Sequence, residues 1–228
     1  QPVPAYDSFG LVDPVADREM LEQSIGAGFR AIKIKIGEGS AAEDAAMIRA
    51  VRDIIGADIQ LMVDLNQSQS ATDAIHRIDR LAACDLTWVE EPVAAEDLEG
   101  HARVRAASPI PVQTGENWWF PADMARAIAA GACDMAMPDL IKIGGITGWL
   151  RAMALAEAAS LPLSSHLFIE ASAHVLAVSP TCHFLEHLDM AGAVMAEPAP
   201  MDAGMIAARG PGLGMAWNED AVARFLVA

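Results

Sequence analysis

Seven apolar, strand-like runs in this chain each end at or beside a charged or ionisable residue, and their spacing constrains the fold more than any other feature. Lys35 stands near the end of Ala31-Ile32-Lys33-Ile34-Lys35-Ile36, and Asp64 follows Leu61-Met62-Val63. Glu90 closes Trp88-Val89, Glu116 follows Val112-Gln113-Thr114-Gly115, and Asp139 follows Met135-Ala136-Met137-Pro138. His166 closes Pro162-Leu163-Ser164-Ser165, and Glu186 closes His183-Phe184-Leu185. From Lys35 onward the steps are 29, 26, 26, 23, 27 and 20 residues. Each step fits one strand plus one helix. Parallel strands joined by right-handed helical crossovers can close into a barrel, and a barrel gathers the C-terminal ends of all its strands at one mouth.

The segments between the runs carry helix signals. Asp13-Pro14 reads as an N-cap with proline at the first helical position, Leu21 and Ile25 forming the buried stripe and Gly28 closing it. Ser40 and Glu43 have capping-box spacing, and Met47, Ile48, Val51, Ile54 and Ile55 then form an apolar face ending at Gly56. Ile75, Ile78 and Leu81 mark a third helix; Pro121, Met124 and Ile128, before Gly131, mark another. Alanine-rich residues 149–159 form a further one. With Val3 to Tyr6 as the first strand, the expectation is eight strands and about seven helices. An open doubly wound sheet fits less well, because its ligands gather at one switch point and no GxGxxG follows the first strand. After Ala191, Pro198, Pro200 and the run Gly210-Pro211-Gly212 predict an irregular tail ending in a short apolar docking segment, residues 222–227.

Composition narrows the partners. The 228 residues are 53% hydrophobic, enough for one sizeable core. A formal charge of −16 argues against nucleic acid or an anionic membrane surface. Cys84, Cys133 and Cys182 are odd in number and widely spaced, so they read as reduced core residues of a cytoplasmic protein. No apolar run approaches transmembrane length.

Singly, an acidic residue at a strand end is a helix cap or a surface charge. Asp64, Glu90 and Glu116 on three successive strand ends would repel one another without a cation, and an all-oxygen set suits Mg²⁺. Glu91 and Asn66 stand beside them as candidate supporting groups. Lys33 and Lys35 alternate with isoleucines, so both face one side of their strand, either the barrel interior or a solvated edge. If interior, each would lower the other's pKa, as a catalytic base requires. His166 lies one strand from Asp139, which could orient its imidazole. His76, His101, His174 and His183 read as core or surface residues. Glu186 is either a carboxyl hydrogen-bond donor or a partner for His187.

At this point the chain resembles the enolase superfamily, and within it the mandelate racemase group. The resemblance rests on Lys33-x-Lys35, the three acidic residues, Asp139 with His166, and Glu186, in that order. It also rests on local strings: Pro4-Ala5-Tyr6-Asp7-Ser8, Met62-Val63-Asp64-Leu65-Asn66-Gln67-Ser68, Gly115-Glu116-Asn117-Trp118, Met137-Pro138-Asp139, Lys142-Ile143-Gly144-Gly145-Ile146-Thr147-Gly148-Trp149 and Ser164-Ser165-His166-Leu167-Phe168. The resemblance implies a modified (β/α)7β barrel, a TIM-barrel variant, over residues 1–190. Residues 191–228 would pack on an N-terminal capping domain that this sequence does not contain.

It further implies a Mg²⁺-dependent racemase that removes the α-proton of a mandelate-like 2-hydroxy carboxylate through an enediolate. Asp64, Glu90 and Glu116 would hold the metal. Lys35 and His166, the latter oriented by Asp139, would act as bases on opposite faces. Lys33 and a protonated Glu186 would bind the substrate carboxylate, with Ser8, Asn66 and Leu188 lining the pocket. The alternatives are a sugar-acid dehydratase with His166 as the acid, or a catalytically silent barrel that binds metal and carboxylates. The implied partner is a small carboxylate, and the implied assembly is a homo-oligomer.

Overall fold

Eight parallel strands close into a ring in the computed structural model, which describes residues 1–226. They are β1 (Val3–Ser8), β2 (Ala31–Lys35), β3 (Gln60–Asp64), β4 (Leu86–Glu90), β5 (Val112–Thr114), β6 (Met135–Ala136), β7 (Leu163–Ser165) and β8 (Cys182–His187). Closure comes from β1, which pairs in parallel with both β2 and β8. Between successive strands run α1 (Arg18–Gly26), α2 (Ala41–Ile55), α3 (Ala71–Leu81), α4 (Leu98–Ala107), α5 (Phe120–Ala130), α6 (Gly145–Ala158) and α7 (Ile169–Leu176). This is the (β/α)7β barrel implied by the resemblance, with the eight strands and seven helices that the spacing predicts.

The strand alternation divides the side chains between two cores. Ile32, Ile34, Leu61, Val63, Val89 and Val112 face outward and meet Ile48, Val51, Ile55, Ile78, Leu81 and Val104 of the helices. Each such fully buried aliphatic side chain contributes about 1.5–3 kcal/mol relative to exposure. Inside the ring, Tyr6, Ala31, Met62, Trp88 and Phe184 fill the floor. Trp88 and Tyr6 meet edge to face, with ring centroids 5.5 Å apart. A solid floor leaves only the C-terminal end of the ring open to chemistry.

Local signals place the helices. The Ser40 hydroxyl accepts from the Glu43 amide, and the Glu43 carboxylate accepts in return from the Ser40 amide at 2.7 Å, completing the expected capping box of α2. Gly131 ends α5 in the left-handed conformation. The reading of Asp13 needs correction. Its carboxylate accepts from the amides of Val15 and Ala16 and closes a turn, and α1 begins later, at Arg18. Proline at position 14 therefore starts that turn, not the helix.

The tail is more ordered than its prolines and glycines suggest. β9 (Met201–Asp202) and β10 (Met205–Ile206) form a hairpin, and β10 pairs antiparallel with β1, Val3 opposite Ile206. Ile206 is fully buried against the barrel. A short α8 (Glu219–Ala223) is capped by the Asn218 side chain. Within the predicted docking segment Phe225 and Leu226 are exposed, and Val227 lies outside the described residues. Cys84 and Cys133 are buried as expected, whereas Cys182 is half-buried. Among the described residues, no helix is long and apolar enough to cross a membrane.

Candidate active site

Strand register brings the candidate residues together at the mouth. Lys35 is opposite Asp64, and Asp64 is opposite Glu90, so β2, β3 and β4 present ionisable groups at one level. Glu116 lies two residues past the end of β5. Asp139 and His166 lie past β6 and β7 and are joined by an isolated parallel bridge. β5, β6 and β7 are thus shorter than their apolar runs, and Glu116, Asp139 and His166 sit on loop residues just beyond them.

Asp64, Glu90 and Glu116 each bring a carboxylate oxygen within 4.8 Å of the others. Burial pushes the Asp64 and Glu90 carboxyls up in pKa, Glu90 well above the usual range, and each is raised further by a neighbouring carboxylate. Nearby Lys33 offsets only part of this. A trio of hard oxygen donors whose charge is only partly balanced fits a divalent cation such as Mg²⁺. Asn66 orients Asp64: its backbone amide donates to one carboxylate oxygen at 2.7 Å and its side-chain amide to the other at 2.8 Å.

Lys33 is buried inside the barrel, bonded to Glu90 and 2.8 Å from Glu186. Burial would strip its proton, but Glu186 and Glu90 outweigh this and hold its pKa well above the ordinary value. Any lowering of Lys33 by Lys35 is outweighed, because carboxylates surround it. Lys35, one turn of the pleat further along, is half-buried at the rim. Of the two placements open for Lys33, the barrel interior holds and the solvated edge does not.

His166 Nδ1 donates to Asp139 Oδ2 at 2.8 Å, while its Nε2 lies 3.3 Å from Glu116 and 3.9 Å from Glu186. The other Asp139 oxygen accepts from the amides of Ile141 and Lys142. Burial opposes the charge on His166, yet Asp139, Glu186 and Glu116 raise its pKa above the ordinary value. Burial also opposes ionisation of Asp139, but His166 and the two amides bring its pKa below normal.

Glu186 departs from expectation in two ways. It accepts from the Ser8 hydroxyl at 2.8 Å and the Leu167 amide at 3.1 Å, whereas His187 turns instead to Asp7. Burial alone would raise its carboxyl, but Lys33 and His166 bring it down to about 2, opposite to the direction a protonated donor needs. Leu188, just beyond β8, is exposed.

Four supporting residues were not singled out beforehand. Trp88 Nε1 and Gln113 Nε2 both donate to Glu90 Oε2, at 3.0 and 3.2 Å. Asn117 donates to both Glu91 oxygens and to Glu116, and accepts from Lys142 at 2.8 Å. Burial, followed by repulsion from Glu116, pushes Glu91 up to about 7. The signal for Trp88 was its spacing, two residues before Glu90 and so on the same strand face. Gln113 was a lone amide within an apolar run.

Known proteins share this architecture. The family described as Enolase C-terminal domain-like matches residues 16–221. D-galactarolactone cycloisomerase of Agrobacterium fabrum is 38% identical, over 94% of this chain and 61% of that protein. L-talarate/galactarate dehydratase of Salmonella typhimurium is 33% identical, over 92% of this chain and 52% of that protein. A Bradyrhizobium enolase crystallised with magnesium and mandelic acid superposes with a TM-score of 0.98 at 57% identity, covering 100% of this chain and 63% of that one. The chain thus spans between about half and two thirds of these relatives' lengths.

Proposed function

Because the chain belongs to the Enolase C-terminal domain-like family, we propose that it is the catalytic barrel of a Mg²⁺-dependent racemase acting on a mandelate-like 2-hydroxy carboxylate. The observation that carries this reading is the placement of two proton-transfer groups around the ring. Lys35 ends β2 and His166 follows β7, three strand steps apart through β1 and β8 in a ring of eight. Groups so placed approach a bound molecule from nearly opposite sides. The relative holding both magnesium and mandelic acid supports the ligand class.

Asp64, Glu90 and Glu116 would hold the cation, whose positive charge makes the carbon beside a substrate carboxylate more acidic. Lys33, buried and cationic, would meet that carboxylate. Its departure toward substrate would remove the strongest influence holding Glu186 down, freeing that carboxyl to take a proton and donate to the enediolate. Lys35 would remove the α-proton of one enantiomer while His166, held charged by Asp139, returns a proton to the other face. In reverse the two exchange roles. The test is incubation of the full-length protein with each mandelate enantiomer and Mg²⁺ in D₂O. Racemisation with α-deuterium incorporation from both enantiomers is expected; no exchange from either would overturn the reading.

A dehydratase reading has one specific support. His166 is poised as an acid, and an acid beside the α-carbon could protonate a departing β-hydroxyl. A sugar acid would distinguish the two: 2-keto acid formation without racemisation of mandelate favours elimination.

A further inference from the structure

Behind the carboxylate trio, a chain of hydrogen bonds crosses the barrel interior from Glu90 toward the floor. Gln113 Nε2 donates to Glu90 Oε2 at 3.2 Å and to Met137 Sδ at 3.3 Å. Its Oε1 accepts from Ser164 Oγ at 3.3 Å, and Ser164 Oγ lies 3.4 Å from His183 Nδ1. Glu90, Gln113 and Ser164 are fully buried, and His183 is half-buried.

Counting protons gives the chain a direction. Lys33 donates to Glu90 Oε1 and Trp88 to Oε2, and neither group can accept, so both oxygens act as acceptors and Gln113 must turn its NH₂ toward Glu90; the flipped amide would set oxygen against oxygen. Both amide hydrogens are then used, on Glu90 and on Met137. The amide oxygen therefore faces Ser164 and takes its single hydroxyl proton. Ser164 is left with lone pairs toward His183, and a bond there requires hydrogen on Nδ1. The His183 ring is fixed by its neighbours, 5.7 Å from Trp88 and 4.6 Å from Phe184 between centroids. Burial brings its pKa down to about 4, so near neutrality it carries one ring proton. Trp88 and Gln113 together occupy Oε2, leaving Oε1, the oxygen bonded to Lys33, for the mouth.

We propose that Gln113, Ser164 and His183 form a one-way relay that fixes the orientation of the Glu90 carboxylate, making His183 a positioning residue for the metal centre from the far end of the barrel. The part concerning metal rests on the assignment of Glu90 as a ligand under the proposed function.

Two measurements on the full-length protein test it. Long-range proton–nitrogen NMR correlation on ¹⁵N-histidine protein at neutral pH reads the ring tautomer directly, the His183 signal being identified by its loss in His183→Asn. Hydrogen on Nδ1 is expected, and hydrogen on Nε2 would overturn the relay whatever the variants do. Calorimetric Mg²⁺ titration supplies the second readout. An asparagine amide can take the place of the Nδ1–H donor, and a glutamine amide reaches instead to the Nε2 position. His183→Asn should therefore stay within about twofold of wild type, while Ser164→Ala and His183→Gln weaken binding by about tenfold, the low end for residues supporting a metal ligand. Wild-type affinity in both weakened variants, or equal loss in His183→Asn and His183→Gln, would overturn the positioning role. Failure of the wild type to bind Mg²⁺ would remove the metal assignment instead, and the relay would then stand or fall on the tautomer.

Discussion

His166 Nδ1 lies 2.8 Å from Asp139 Oδ2, and their backbones pair as an isolated parallel bridge beyond the ends of β6 and β7. The ion pair and the backbone bridge fix the imidazole together: one sets its charge, the other its position. Asp139 is itself held by two backbone amides, so the acceptor that orients the ring is fixed in place.

Under the proposed racemase reading, this predicts a one-sided defect. In His166→Asn, α-proton exchange in D₂O should persist only for the enantiomer facing Lys35, and racemisation should fall by about 10²–10⁴-fold, the usual contribution of one acid–base group. Asp139→Asn should impair the same half-reaction. Proton NMR of each mandelate enantiomer checks this, and equal exchange of both by His166→Asn would contradict a two-base arrangement.

Glu116→Gln should lower Mg²⁺ affinity by more than about 100-fold, because it removes one of three charges from the donor set instead of a supporting contact. Calorimetric titration measures this. Chelation by EDTA should abolish α-proton exchange, and added Mg²⁺ should restore it.

His183 predicts an acid-sensitive contribution to stability. Its folded pKa is about 4 against an ordinary value of 6.5, so the unfolded chain binds the proton more readily. The contribution is present above pH 6.5 and lost as pH falls toward 4, by at most about 3 kcal/mol. Urea unfolding across that window should show a shallower decline for His183→Asn than for wild type. Parallel curves would mean that His183 does not titrate as its burial requires.

Gly28 and the β9–β10 hairpin touch backbone to backbone. Gly28 has φ of +103°, and a methyl group there would lie 2.6 Å from Ala203 Cα. Gly28→Ala should cost about 2–4 kcal/mol through strain and overpacking together. Chemical denaturation tests this; an unchanged midpoint would show that the tail yields without loss.

Much of this arrangement was legible in the chain itself. Strand-and-helix periodicity, the Ser40–Glu43 cap and the alternation of Lys33 with isoleucines are local, so order of residues alone pointed to the barrel and set the lysines on the strand face opposite the isoleucines. The same periodicity placed Asp64, Glu90 and Glu116 on successive strand ends. Tertiary structure decided what depends on neighbours distant in sequence. Lys33 keeps its charge in spite of Lys35, because Glu90 and Glu186 lie beside it, and Glu186 turns to Ser8 and Leu167 instead of His187. The tail became a hairpin because β1 offered it an edge. Electrostatic energies depend on distance through space, and sequence order specifies that distance only after the ring has closed.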